Sequence, residues 1–484
     1  MTTAPVTRAG PGAARPRDRA RWAALALLAC AQLMLILDVT VVNVALPDIG
    51  AALRLSRAEL PWVMTAYTVC FGGLMLLGGR VADRYGPQRI TLAGLVVFTA
   101  ASLLSGLAAG PAWLLAGRAL QGAGAALLSP AALATVMTLF PGQDRSRALG
   151  VWSSLAGLGA ALGVILGGVI TTEAGWRWIF TVNVPIGAAL LVALPLTVRA
   201  AHGSGPGDEE PAAAPAGRLD VAGALLVTVA TGAAIYGLVN AGTAGWAAPS
   251  TLAAFALAAV GLAAFAAAER RAATPLLAVG LLLRRPAAAG GFLMLTATGL
   301  LVGAFYLGSF ALQHALGYTA LDVGLAYIPV AAATVAGAHT ASQVLAKVPA
   351  SAVAATGLAL AAAGYAIAAR WPEPVQLVTG LSVAALGIGA CFVTAFTASL
   401  TDAPAAEGGL RSALVNTFHE LGGAAGVAVL STIAGTALVA AHPAATAFRG
   451  AFTAGAACAV AAAVIAALLV PPVLRDASAG HGAH

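Results

Sequence analysis

Three ionisable side chains lie deep inside long apolar stretches of the sequence: Asp38, Arg118 and Glu420. A charge at the centre of a lipid bilayer costs roughly 2.5–3.5 kcal/mol, so an ionisable group in such a stretch indicates a function. Burial disfavours the charged form of a carboxyl group, and a nearby cation favours it. A carboxylate under both influences can take up and release a proton. Asp38 and Glu420 are therefore candidate proton carriers.

Asp38 and Arg118 fall at similar depths in their helices. With a rise of about 1.5 Å per residue, both lie in the outer third of a hydrocarbon core about 30 Å thick. Gln121 follows Arg118 by three residues and shares its helix face. We therefore predict direct or water-mediated coupling between Asp38 and Arg118. The alternative for Asp38 is a structural hydrogen bond to a neighbouring helix.

Glu420 lies near the predicted midplane of its span, with Asn416 four residues earlier on the same face. A carboxylate at this depth is well placed to bind a proton or another cation, and an interhelical hydrogen bond is the alternative. His419 is predicted to face elsewhere. Aromatic and amide side chains that could line a substrate cavity are Asn43, Tyr67, Gln121, Phe305, Tyr306, Tyr327 and Asn416.

The segment Gly79–Arg89 contains glycines and an Asp-Arg pair between two apolar stretches. Glycine permits a tight turn and close helix approach. Asp83 could pair with a basic residue or face a helix N-terminus. Arg84 and Arg89 could hold the segment at an anionic membrane surface. This combination is more specific than an ordinary charged turn.

A further apolar stretch carries Gly159, Gly163 and Gly167 at intervals of four residues, with Gly168 adjacent. This spacing predicts a stripe of small residues on one helix face and a close contact with another helix. Such a contact could also seal one side of a transport pathway.

The composition requires that lipid surround most of the chain. The 484 residues are 60% hydrophobic and only 9% charged, whereas a soluble domain carries about 25% charged residues. We predict an all-α polytopic membrane protein with fourteen spans. Most of the 25 basic residues then fall in segments on one side, which predicts cytoplasmic termini and a cell-membrane location.

The predicted organisation is two six-helix bundles with two helices inserted between them. The expected parts are a disordered tail (1–21), an N-terminal bundle (22–197), a cytoplasmic linker (198–219), two inserted helices (220–268), a cytoplasmic loop (269–286), a C-terminal bundle (287–471) and a cytoplasmic tail (472–484).

Several classes of function are disfavoured. The basic residues form short clusters rather than one continuous face, so nucleic-acid binding is not expected. There is no phosphate-binding GxxxxGK[ST] loop for ATP and no CxxC spacing among the four cysteines. We predict no enzyme activity, no metal and no cofactor, with a proton gradient as the energy source.

The chain resembles the major facilitator superfamily, and within it the fourteen-helix drug:proton antiporter branch. Four segments carry the resemblance: Leu37–Pro47, Gly79–Arg89, Arg118–Gly124 and Trp176–Gly187. Val164 stands where the branch's antiporter motif usually has proline, and Pro87 and Gln88 stand where its loop motif usually has basic residues.

The resemblance implies alternating access to a central cavity between the two bundles. It implies that Asp38 and Arg118 serve proton coupling. It also assigns a cytoplasmic gate to Gly79, Asp83, Arg84, Gly86 and Arg89. The expected function is proton-coupled export of small apolar or cationic compounds by a monomer. The alternatives are a narrow-specificity transporter of one metabolite, such as a self-made antibiotic, amino acid or siderophore, and a non-transporting membrane sensor or scaffold.

Overall fold

The computed structural model describes residues 16–55, 59, 62–141, 144–202, 221–271, 280, 284–370, 373–400, 408–435 and 448–471. Those ranges are helical with short connections and contain no β-strand. The predicted all-α class is therefore confirmed. Residues 203–219 of the expected linker, most of the expected loop at 269–286 and the tail at 472–484 lie outside the description.

The helices divide into three groups along the chain. The first comprises α1 (Pro16–Leu53), α2 (Trp62–Tyr85), α3 (Pro87–Gly106), α4 (Pro111–Leu139), α5 (Asp144–Glu173), the short α6 (Arg177–Thr181) and α7 (Asn183–His202). The second is the pair α8 (Val221–Ala244) and α9 (Pro249–Glu269). The third comprises α10 (Arg285–Phe310), α11 (Ala320–Ala326), α12 (Ile328–Val344), α13 (Ala350–Ala368), α14 (Pro374–Leu400), α15 (Gly408–Ala434) and α16 (Arg449–Leu469).

Each long group packs mainly within itself, and a few helices join the two groups. In the first group α4 packs against α2 and α3, and α1 packs against α5 and α7. In the third group α14 packs against α10, α12 and α13, and α15 packs against α10. The groups meet where α5 contacts α12 and where α2 contacts α15, and α8 packs against both α2 and α15.

Within the described residues, 13 helical segments are long and apolar enough to cross a membrane. The fifth expected span coincides with α5, a helix of 30 residues in which several side chains, Val164 among them, are outside the description. At about 1.5 Å per residue α5 is also long enough to cross a bilayer. The order of helices therefore matches the fourteen predicted spans.

Helix α1 begins at Pro16 and so includes residues 16–21, for which we predicted a disordered tail. Two arginines explain the difference. Arg17 Nε donates to Ala201 O in the last turn of α7 (3.1 Å), and Arg21 Nε donates to Leu139 O at the end of α4 (2.6 Å). Basic groups at helix C-termini satisfy carbonyls that have no partner within their own helix.

Two predicted spans are interrupted. The sixth divides into α6 and α7 at Val182, and the tenth divides into α11 and α12 at Tyr327. Pro329 stands in the first turn of α12. Because proline has no N–H to donate to the preceding turn, a continuous helix is broken there.

The glycine stripe of α5 packs against α1 over part of its length. A Cβ atom at Gly159 would overlap Ile36, and one at Gly163 would overlap the hydroxyl of Thr40. Gly167 is buried. Gly168 does not share the contact, because a Cβ there would meet nothing within 4 Å. The prediction of close packing therefore applies to Gly159 and Gly163 and is wrong for Gly168.

We expect Gly163→Ala to lower the thermal unfolding temperature, because overpacking typically costs about 1–3 kcal/mol. Gly168→Ala is the matched control on the same helix. It should leave stability unchanged or raise it, since alanine is a better helix former than glycine by about 1 kcal/mol. Thermal unfolding followed by size-exclusion chromatography compares the two purified variants. Equal unfolding temperatures would contradict the α1–α5 contact.

Candidate functional site

Asp38 of α1 and Arg118 of α4 form a fully buried ion pair. Arg118 Nη1 donates to Asp38 Oδ2 at 2.5 Å, and the two residues are 0% and 2% exposed. Arg118 Nε donates to the carbonyl oxygen of Val63 on α2 (2.9 Å). The coupling predicted from their depths is a direct contact, and it ties together three helices of the first bundle.

Gln121 connects this pair to α3. Its Nε2 donates to Asp38 Oδ1 (3.0 Å) and to Ser102 Oγ (2.8 Å). Its Oε1 accepts from Arg118 Nη1 (3.0 Å) and from Ser105 Oγ (3.1 Å). Arg118 and Gln121 lie one turn apart on one face of α4, so both reach Asp38. We predicted Gln121 in a substrate cavity; it is instead completely buried in the polar network.

Three members of the network were not predicted as site residues. Asn183, the first residue of α7, donates from Nδ2 to Asp38 Oδ1 at 3.3 Å and is buried. Ser102 and Ser105 lie on α3 and are also buried. Single small polar residues are common in membrane helices, so only the three-residue spacing of the two serines could have suggested a shared face.

An aromatic wall covers the guanidinium of Arg118. The guanidinium carbon, Cζ, lies 4.5 Å from the ring centre of Tyr67 and 5.8 Å from that of Phe180. Among the described residues, Arg118 Nη2 and the Tyr67 hydroxyl have no hydrogen-bond partner. Unsatisfied buried polar atoms are uncommon and call for an explanation, such as a rearrangement or a ligand. We refer to Asp38, Arg118, Gln121, Asn183, Ser102, Ser105 and Tyr67 as the polar network.

Glu420 lies on α15, in the other bundle, and forms a pair that we did not predict. His419 Nδ1 lies 3.3 Å from Glu420 Oε1, so His419 does not face elsewhere as expected. Glu420 also approaches α2, because a Cβ atom at Gly72 would lie 3.5 Å from Glu420 Cβ. Asp38 belongs to the first bundle and Glu420 to α15, which contacts that bundle at α2, so the α2–α15 seam lies between the two carboxylates.

Asn416 stands one turn before Glu420 on α15 and is buried. Its Nδ2 has no hydrogen-bond partner in the described part of the chain. A buried amide of this kind has capacity to bind a polar group of a substrate.

The expected gate segment joins the two bundles at one end. Asp83, in the last turn of α2, accepts a hydrogen bond through Oδ2 from the backbone N–H of Leu410 (2.7 Å). Leu410 lies in the first turn of α15, where the helix dipole favours a negative charge. Asp83 therefore faces a helix N-terminus, one of the two partners predicted for it.

The rest of the gate segment forms a tight turn. Gly86 has φ +92°, a conformation that side-chain-bearing residues rarely adopt, and it links α2 to α3. Gly79 is buried in α2. The Arg84 guanidinium lies 5.5 Å from the ring centre of Tyr85, and Arg89 is exposed in the first turn of α3.

Replacing Asp83 by asparagine should weaken the contact between α2 and α15. A carboxylate at a helix N-terminus contributes about 0.3–1 kcal/mol, and up to ~2 kcal/mol when partly buried. We expect a thiol reagent to label a cysteine introduced at Ser342 faster in this variant than in the wild type. Ser342 lies near Gly150 across the α5–α12 seam, at the same end of the bundles as Asp83. Asp144→Asn is the control, because the ion pair that the described residues show for this carboxylate is with Arg147 of the same helix. Equal labelling rates in both variants would contradict a gate at Asp83.

Most of the predicted cavity aromatics pack locally. The buried Tyr327 donates from its hydroxyl to Phe305 O at 2.7 Å, and their rings lie 4.6 Å apart. Tyr306 packs on Phe310 at 4.9 Å. Tyr327 lies at the interruption between α11 and α12 and is hydrogen-bonded to the last part of α10. This is a structural contact. The side chain of Asn43 lies outside the description.

Comparison with known proteins agrees with this arrangement. Residues 28–427 match the family model of the Major Facilitator Superfamily. The chain is 36% identical to the puromycin resistance protein pur8 of Streptomyces alboniger, over 86% of this chain and 82% of that protein. It is 35% identical to the cephamycin export protein CmcT of Amycolatopsis lactamdurans, over 85% of each.

Among solved structures, the human organic anion transporter MFSD10 has a similar fold, with a TM-score of 0.64 at 14% sequence identity. The match covers 92% of this chain and 99% of that one. The family match extends over both bundles and includes every residue of the polar network and the gate segment. The chain therefore belongs to the Major Facilitator Superfamily and is a multi-pass membrane transporter of small molecules, not an enzyme.

Proposed function

We propose that this chain exports antibiotics or similar small, largely apolar compounds in exchange for protons, by alternating access between its two bundles. Efflux is supported by the resistance and export functions after which its relatives are named. Proton exchange is supported chiefly by one observation, the buried Asp38–Arg118 pair. A transporter that did not titrate this site would bear the cost of burying both charges without using it.

In this proposal Asp38 is the group that gains and loses the proton. The charged carboxylate accepts from Arg118, Gln121 and Asn183, which draws α1, α4 and α7 together. A proton on Asp38 removes the charge attraction to Arg118 and one hydrogen-bond acceptor. The guanidinium, whose Nη2 has no hydrogen-bond partner in the described ranges, is then available to other partners. Protonation thus changes the packing of the first bundle.

Glu420 is the second proposed proton site. It lies across the α2–α15 seam from the polar network and carries His419 as a partner. Because α2 contributes Tyr67 to the network and also contacts α15, a movement of α2 affects both carboxylates. Each proton that moves down a membrane potential supplies about 2.3 kcal/mol per 100 mV, more than the ~1.4 kcal/mol of a tenfold gradient.

Alternating access uses the two seams between the bundles. The Asp83–Leu410 hydrogen bond closes the α2–α15 seam at the proposed cytoplasmic end. Gly150 allows α5 to approach α12 closely, since a Cβ there would lie 3.1 Å from Ser342 Cβ. We place the protein in the cell membrane as a monomer with both termini in the cytoplasm.

A second candidate is an exporter specific for one metabolite, such as a single self-made antibiotic. The relatives' names support it, because pur8 and CmcT are each named after one antibiotic or antibiotic class. A panel of chemically unrelated compounds separates the two candidates. Transport of several compounds indicates multidrug export, and transport of one alone indicates the narrow function. Membership of a transporter family removes the reason to prefer a sensor or scaffold.

The proposal is tested with inverted membrane vesicles that contain the chain. Puromycin, a cephamycin and other antibiotics should accumulate in the vesicles when a pH gradient is imposed with the interior acidic. A protonophore should abolish the accumulation. Accumulation that persists in the presence of the protonophore, without ATP, would contradict proton coupling.

A further inference from the structure

A groove of about 600 Å³ opens between the inserted helices and α2, away from the polar network. Its walls include Trp62, Cys70 and Leu74 of α2, Thr228 and Tyr236 of α8, and Leu257 of α9. This volume lies in the range of small-molecule sites, about 300–1,000 Å³. None of the described residues predicted for a substrate cavity lies on it.

The groove opens on the outer surface of the helices, where the lining residues Val229 and Leu257 are 49% and 52% exposed. All three helices are candidate membrane spans. The walls come from the first half of α2, the middle of α8 and the first half of α9. In the proposed orientation this is the extracellular half of the bilayer. The groove is therefore reached from the lipid.

The lining selects a neutral, apolar occupant with a flat ring. Among the described residues, no charged side chain lines the groove, so an ion bound by these residues would lose its hydration without compensation. Trp62 and Tyr236 are stacked, with ring centres 5.7 Å apart, and Trp62 is 43% exposed. An aromatic surface of this kind binds planar rings by burial and stacking.

One hydroxyl distinguishes a small molecule from a lipid chain as occupant. Thr228 lines the groove, and its Oγ1 has no hydrogen-bond partner among the described residues. The hydroxyl is buried in this structure, and a rotation about χ1 to another staggered rotamer changes the direction in which it points. In a rotamer that exposes it to the groove, the hydroxyl can bond to a carbonyl or amine group of a drug-like molecule, whereas an acyl chain offers it no partner.

Helix α2 connects the groove to the polar network. Val63 accepts from Arg118 and Tyr67 lies under its guanidinium, while Trp62 and Cys70 of the same helix line the groove. The inserted pair is also fixed to the other bundle, because Trp246 Nε1 donates to Thr432 Oγ1 of α15 (2.8 Å). An occupant of the groove therefore contacts a helix shared by the network and the α2–α15 seam.

We propose that this groove binds the transported compound at the lipid-facing surface of the protein. The compound is a neutral, planar, apolar molecule held between α2, α8 and α9. The identity of the occupant as a transported compound depends on the function proposed above. The inserted helices then form one wall of a binding site, in addition to covering the seam between the bundles.

Binding can be measured without transport. The probe is N-phenyl-1-naphthylamine, a neutral planar dye, added to the purified protein in phospholipid nanodiscs. Energy transfer from tryptophan to the dye reports its proximity, and a saturable component reports a site. We expect this component in the wild type and its reduction in Trp62→Phe.

The groove is filled by Ala253→Phe, on an exposed lining residue of α9. Ala259→Phe is the matched control, because Ala259 is also exposed on α9 but is not among the residues that line the groove. We expect Ala253→Phe to weaken the saturable binding about ten-fold, equal to ~1.4 kcal/mol. Ala259→Phe should bind like the wild type.

Three results would overturn the proposal. The first is equal binding by Ala253→Phe and Ala259→Phe, and the second is the absence of a saturable component in the wild type. The third is quenching of Trp62 by brominated lipids that the dye fails to relieve, which would assign the groove to an acyl chain. Dye binding in nanodiscs needs no pH gradient. A wild type that binds the dye saturably but does not accumulate antibiotics in vesicles would therefore contradict proton coupling and leave the groove proposal standing.

Discussion

Asp38→Asn should abolish accumulation driven by a pH gradient while retaining exchange of substrate across the membrane. Asparagine is nearly isosteric with aspartate but does not bind a proton in the physiological range. Its Oδ1 can accept from one set of partners only, either Arg118 or the pair Gln121 and Asn183. The carboxylate accepts from both sets. The network keeps its place but loses the carboxyl group that we propose binds the proton.

This substitution also leaves Arg118 buried with its charge uncompensated, which costs about 3–5 kcal/mol in comparable cases. The donor bond from Arg118 to Val63 O and the contact with Tyr67 remain and offset part of that cost. The amount of folded protein must therefore be equalised before transport is compared. Asp38→Glu retains a titratable group and should recover part of the driven transport.

The measurement for Asp38→Asn is the uptake of labelled puromycin into proteoliposomes. Counterflow against unlabelled puromycin inside, without a pH gradient, should continue within about three-fold of the wild type, because we propose that other residues bind the substrate. Uptake driven by the gradient should fall to background. Driven uptake equal to that of the wild type would remove Asp38 from the proton pathway.

Arg118→Lys should reduce driven transport by about 100-fold, with the chain still inserted and folded. Lysine keeps the positive charge beside Asp38, but it presents a single ammonium group instead of a planar fork. Arg118 donates from Nε to Val63 O and from Nη1 to both Asp38 and Gln121. One ammonium group cannot reach these acceptors, which lie on different helices, and also stack on Tyr67.

The matched control for Arg118→Lys is Arg147→Lys. Arg147 is largely exposed and, within the described ranges, its ion pair is with Asp144 of its own helix; such pairs contribute about 0–1 kcal/mol. Surface expression and driven uptake are measured for both variants. Normal uptake by Arg118→Lys would show that charge alone suffices at this position, and the hydrogen-bond geometry of the network would lose its proposed importance.

The sequence was most informative where a residue is costly in its surroundings. Asp38 and Arg118 are expensive in hydrocarbon, so their depth along two helices was enough to predict that they meet. Hydropathy likewise gave the order of the helices, because a span must be about 20 residues long whatever its neighbours are. Asp83 was predictable as a partner of a helix N-terminus, because the free N–H groups there need an acceptor and a carboxylate supplies one.

The sequence was least informative where a contact depends on which helix faces meet. Asn183, Ser102 and Ser105 differ little from other small polar residues of membrane helices, and only the packing of α3, α4 and α7 brings them to Asp38 and Gln121. The direction in which an aromatic side chain points cannot be predicted from its position in a span either. Tyr327, which we expected in a cavity, is a packing residue. The helical turn before residue 22 depends on carbonyl groups at the ends of α4 and α7, which are distant in the sequence.

The central claim, proton exchange at Asp38, is tested most directly by proton release from proteoliposomes. The wild type and Asp38→Asn are reconstituted with a pH-sensitive dye inside, a pH gradient is imposed, and puromycin is added. We predict that puromycin triggers dissipation of the gradient in the wild type and produces no change in Asp38→Asn, at equal amounts of inserted protein. Equal puromycin-triggered dissipation by both proteins would contradict the claim.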